Sequence, residues 1–77
     1  MRIAGTRYSM TREGDAVELK KQGQGVQTFD VKDKTAAQVA EDIQMTLRRK
    51  GVIVQKSLLE ENVREFFPEA RKYGVLK

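Results

Sequence analysis

Residues 35–51 read TAAQVAEDIQMTLRRKG, and this stretch decides the fold. Thr35 followed by Gln38 three positions on matches a capping box. The hydroxyl accepts from the backbone N–H at the third helical position, and the amide reaches back to the cap N–H. Ala36, Val39, Ala40, Ile43 and Leu47 recur at helical spacing and form one apolar stripe. Arg48, Arg49 and Lys50 end the run, where cations suit the unpaired carbonyls, and Gly51 is a natural left-handed stop. Start, face and stop agree on a helix over 35–50. Met45 projects about 200° from Ile43, so it lies on the far side with Gln38, Glu41, Asp42 and Arg49. Its flexible thioether there is a candidate contact for a partner protein.

The preceding residues alternate with a period of two. In 6–12, TRYSMTR, Tyr8 and Met10 point one way and Arg7, Ser9 and Thr11 the other. Glu13-Gly14-Asp15 supplies a turn, and 16–22, AVELKKQ, resumes with Val17 and Leu19 inward. Gly23-Gln24-Gly25 is a second turn, and 26–32, VQTFDVK, places Phe29 and Val31 inward. Three short strands joined by tight turns read as an antiparallel meander with one buried face. The helix stripe is the natural cover for Tyr8, Met10, Val17, Leu19, Phe29 and Val31.

After Gly51, residues 52–54, VIV, read as a short strand. Ser57 and Glu60 then form a second capping box opening a helix over 57–67, with Leu59, Val63, Phe66 and Ala70 inward. Pro68 stops or kinks that helix, and 68–73, PEARKY, restarts as a short turn that Gly74 closes. The expected fold is α+β in the order βββα(β)α, one small domain over 1–77. In it a three-stranded meander packs against the central helix and a second helix follows near the C-terminus.

The 77 residues contain neither cysteine nor histidine. No disulfide or thiolate metal site can form, and the commonest general base and metal ligand is missing. No apolar run suits a signal peptide or a bilayer span, so a soluble, cytoplasmic domain without a membrane role is expected. Gly23-Gln24-Gly25 begins like a dinucleotide fingerprint but lacks the third glycine and precedes a strand. The acidic pairs Glu41-Asp42 and Glu60-Glu61 sit on solvent faces instead of sharing a cleft. No enzyme and no cofactor is expected.

The formal net charge is +4, with a pI near 9.6. Residues 1–25 carry five basic and three acidic groups, 26–51 five and four, and 52–77 five and four, so the excess is spread along the chain. The expected function is accordingly a small protein-binding regulator, adaptor or inhibitor docking on a larger machine, as monomer or homodimer. Met45, Phe67, Tyr73 and Leu76 are its candidate contacts. The alternative is a DNA- or RNA-binding module using Arg7, Lys20, Lys21, Arg48, Arg49 and Lys50.

Two likenesses of element order bear on the alternative. The strand–helix–turn–helix order of 26–32, 35–50 and 57–67 is similar to that of the ribbon-helix-helix repressors. Three strands followed by a helix resemble the arm-site DNA-binding domains of tyrosine recombinases. In the first comparison Asp30 would face the bases and Glu60 and Glu61 would meet a phosphate, which opposes DNA contact. The second carries no diagnostic motif, and no family is assigned from either.

Overall fold

The computed structural model describes residues 2–3, 5–32 and 34–67. Strands β1 (Tyr8–Glu13), β2 (Ala16–Lys21) and β3 (Gln24–Asp30) are followed by helices α1 (Ala36–Arg49) and α2 (Lys56–Phe66). The sheet is antiparallel in the order β1-β2-β3. The α+β architecture expected from the sequence is therefore present, with differences at three places.

Two turns set the sheet register. Glu13 pairs with Ala16 across Gly14-Asp15, and Gly14 has a φ of 61°. Lys21 pairs with Gln24 across Gln22-Gly23, both left-handed at φ 52° and 85°. Positive φ at both central positions is the type I′ pattern, whose twist matches that of a hairpin. The second turn therefore occupies Gln22-Gly23, and β3 begins at Gln24, two residues before the expected start at 26. Between Leu19↔Gln27 and Lys20↔Gly25 the register shifts, leaving Val26 as an extra residue that packs partly against the core. At the other end Lys32 N–H donates to Asp30 Oδ1 at 3.0 Å, and Val31 N–H, one residue past β3, donates to Asp15 O at 3.0 Å. Val31 remains buried all the same.

The inward sheet residues Tyr8, Met10, Val17, Leu19, Phe29 and Val31 are all buried, as the alternation requires. Above them lie Ala36, Val39, Ala40, Ile43 and Leu47 of α1, each with no exposed surface. Leu59 and Val63 of α2 complete the same core, and Ile3, also fully buried, joins it from the N-terminal side. Full burial of one such aliphatic side chain stabilises by about 1.5–3 kcal/mol, so this stripe dominates the folding of so short a chain.

Both halves of the α1 capping box form: Gln38 N–H donates to Thr35 Oγ1 at 3.1 Å, and Thr35 N–H donates to Gln38 Oε1 at 2.9 Å. At the other end Gly51 (φ 79°) donates to Arg48 O at 3.0 Å and Val52 to Leu47 O at 2.9 Å. That pair of bonds is a Schellman motif, which satisfies the last carbonyls of α1 and reverses the chain.

Residues 52–54 are not a strand. The Schellman bond consumes the Val52 N–H, and the Gln44 side-chain amide donates to Val54 O at 3.0 Å. This backbone is thus held by α1, and among the described residues it pairs with no strand. The second capping box does not form either. The N-cap of helix α2 is Gln55, two residues before Ser57, and it makes no side-chain cap bond. Ser57 then falls inside the first turn, and Glu60 pairs with Arg64 one turn on.

The third difference concerns the two adjacent phenylalanines. Phe66, expected inside, is half-buried, and Phe67, a candidate partner contact, is 3% exposed. Helical spacing does not carry across the helix end: Phe67 has φ −127° and ψ 61°, which turns its ring back into the core. The expected restart at 68–73, together with Ala70, Tyr73 and Leu76, lies outside the described residues.

Candidate functional site

The basic groups that are dispersed in sequence converge at one end of the fold. Arg2, Arg7, Lys21 and Lys50 line an open concavity of about 590 Å³. Its floor and rim also include Gly5, Thr6, Tyr8, Gly51, Val52 and Ile53. Among the described residues of this lining there is no carboxylate. Arg2, Arg7 and Tyr8 also line an adjoining concavity of about 350 Å³ that extends to Gln22 and Gly23, again without a carboxylate among the described residues. The basic surface thus continues from the end of α1 to the β2–β3 turn.

Each cation is placed by a local device. Ile3 N–H donates to Tyr8 O at 3.0 Å, and Thr6 N–H and Oγ1 donate to Ile3 O at 3.1 and 2.9 Å. Thr6 Oγ1 also accepts from Tyr8 N–H at 3.1 Å. This hooked turn, with Ile3 anchored in the core and Arg2 bridged to Ser9, sets Arg2 and Arg7 side by side. Lys21 is the last residue of β2 and shares a face with its partner Tyr8, its Nζ 5.7 Å from the ring centroid. Lys50 is the C-cap of α1, oriented by the Schellman motif.

All four cations are exposed, and none takes part in an ion pair with another described residue. Like charges held together without counter-charge raise the local potential, a cost that an anionic ligand relieves.

The structure divides the basic residues singled out in the sequence. It brings Arg7, Lys21 and Lys50 together and adds Arg2, which sequence reasoning passed over. Lys20 lies on the opposite face of the sheet, its Nζ 3.6 Å from Glu18 Oε1. The Glu18 carboxylate reaches over Gly25, the partner of Lys20, where a Cβ would come within 2.8 Å of Glu18 Oε2. That outer face also carries Glu13 and Asp30, so it is of mixed charge. Arg48 is exposed in the last turn of α1.

Arg49 lines a different groove, of about 310 Å³, between α1 and β3. Met45 stands in it, 46% exposed, with Asp42 and Lys34 paired at 3.4 Å beside it. Asp30 and Arg49 add one charge of each sign, so the groove is balanced. Of the proposed protein contacts, Met45 is accessible, Phe67 is in the core, and Tyr73 and Leu76 are outside the described residues.

No protein-family model matches the chain, and no curated protein or solved structure matches it either. Among the described residues no helix is long and apolar enough to cross a membrane, and no cluster of carboxylates is arranged as a metal site.

Proposed function

We propose that this chain is a small non-catalytic module that binds nucleic acid through the sugar-phosphate backbone, held in the concavity of Arg2, Arg7, Lys21 and Lys50. One observation carries the reading: four cations from three separate segments line one concavity, with no carboxylate among the described lining residues. Phosphate contacts of this kind supply affinity and position without reading sequence. In this reading the chain works in the cytoplasm, where a cysteine-free composition is at home.

A second reading, a regulator or adaptor that docks on a larger protein, is supported by Met45. It is an exposed thioether in a groove between a helix and a sheet edge.

Anisotropy of a labelled duplex and a labelled single strand, titrated with the full chain across a salt series, tests the first reading. Four phosphate contacts on a duplex imply a log–log salt slope of about −3.6, or a loss of roughly a hundredfold between 50 and 200 mM salt. Absence of binding at low salt, or binding indifferent to salt, rejects it. Capture of a single protein that Met45→Glu releases would then favour the second reading.

A further inference from the structure

We infer that the nucleic acid bound at the basic concavity is double-stranded, and that Ile53 is an apolar wedge pressed against its base steps. The inference rests on the nucleic-acid reading above and adds the form of the ligand and the residue that contacts bases.

Ile53 is 76% exposed, and it is part of the lining that holds Arg2, Arg7, Lys21 and Lys50. A single exposed aliphatic residue is ordinary on a protein surface. Ile53 differs in how it is held. On one side Val52 is fixed by its bond to Leu47 O, and on the other Val54 is buried and its carbonyl accepts from Gln44. The chain between α1 and α2 therefore presents a β-branched, rotationally stiff side chain from a pinned backbone. Cations that neutralise phosphates, flanking a rigid apolar side chain, match the way minor-groove proteins enter a base step and bend the duplex.

The aromatic in the lining argues against a single strand. Single-strand binding without sequence preference relies chiefly on exposed aromatic rings on which successive bases stack. Tyr8 is 5% exposed and has the Lys21 ammonium over its ring. The other exposed large apolar side chain among the described residues, Met45, stands in the charge-balanced groove, where no comparable cation set surrounds it.

The test uses the full chain with a short duplex labelled at both ends, the matching single strand, and vesicles of phosphatidylcholine with and without phosphatidylserine. Anisotropy gives affinity and salt slope, and energy transfer between the duplex ends gives bending. The expected result is tighter binding to duplex than to single strand, with the duplex ends drawn together. Ile53→Ala is expected to keep the salt slope, weaken duplex binding about tenfold and abolish the bend. Circular dichroism and urea unfolding confirm that this variant is folded, and Met45→Ala is the comparison that leaves binding and bending intact. Salt-dependent binding with unchanged affinity and bending in Ile53→Ala overturns the wedge and leaves the functional reading standing. Equal affinity for the single strand overturns the duplex assignment. Binding to phosphatidylserine vesicles in place of nucleic acid, or to nothing, overturns both.

Discussion

The guanidinium of Arg12 lies over the ring of Phe67, with Cζ 4.3 Å from the centroid, and its Nη1 donates to the carbonyl of Phe66 at 2.8 Å. The same side chain donates from Nε to Gly14 O at 2.9 Å. One planar cation thereby joins the β1–β2 turn to the last carbonyl of α2, elements more than fifty residues apart in sequence. Carbonyls at a helix C-terminus lack intrahelical donors, so a side-chain fork is an effective substitute.

Arg12→Ala is expected to lower stability by about 1–2 kcal/mol, combining a charge-assisted hydrogen bond with a partly exposed cation–π contact. Arg12→Lys keeps the charge but not the fork, and is expected to recover less than half of that loss. Urea unfolding of Arg12→Ala, Phe67→Leu and the double variant forms a cycle. A coupling energy indistinguishable from zero would show that ring and guanidinium do not act together.

Phe67→Ala has a different expected outcome from the one its sequence position implies. As a surface contact it would be silent in unfolding, but its ring is in the core. Removal should cost about 2–4 kcal/mol, less than a fully enclosed phenylalanine because it sits at the edge beneath Arg12. Met45→Glu, on the exposed side of α1, should change stability by less than about 0.5 kcal/mol. The two denaturation midpoints decide between a core and a surface role for Phe67.

The helix starts yield a paired prediction. Thr35→Ala removes the oxygen that accepts from Gln38 N–H and should cost about 1 kcal/mol. Ser57→Ala should be near neutral or slightly favourable, because Ser57 is inside the first turn of α2 and alanine suits that position. Gln55→Asp, placing a short carboxylate at an N-cap whose side chain makes no cap bond, should raise stability by about 0.5–1 kcal/mol. A large loss from Ser57→Ala would mean that the helix begins two residues later than described.

Gln22 occupies a left-handed conformation at φ 52°, in a turn whose geometry asparagine or glycine adopts more readily. Gln22→Asn is expected to raise the melting temperature, with a gain of about 0.5–1 kcal/mol. A loss of stability would indicate that the Gln22 side chain makes a contact worth more than the relief of backbone strain.

These positions also show what was legible in the sequence. The α1 stripe, its caps and the period-two alternation of β1 and β2 depend on neighbours within a turn or a strand, so local pattern carries them. The start of α2 depends on where Val54 and Leu59 reach the core, and that tertiary demand overrode a well-formed Ser57–Glu60 box. The Gly25–Val26 irregularity and the placement of Phe67 depend on partners across the sheet and beneath Arg12. The basic site was the least legible. Its four cations come from residues 2, 7, 21 and 50, and only the hooked turn, the β2 end and the Schellman reversal bring them together. Counting charge by thirds of the chain averaged them away.

The final prediction separates that site from the rest of the basic surface. Arg2→Gln, Arg7→Gln, Lys21→Gln and Lys50→Gln should each reduce the magnitude of the log–log salt slope by about one, weakening binding similarly for every duplex sequence. Each side chain is exposed, so the losses should occur without a change in unfolding midpoint. Lys20→Gln removes the same charge next to Lys21 but on the opposite face, where it already meets Glu18. It should leave the slope unchanged. A model in which only net charge matters expects Lys20→Gln and Lys21→Gln to be equivalent; a site at the concavity requires them to differ. Equal slopes for these two neighbours would mean that the gathering of cations at the end of the fold has no bearing on binding.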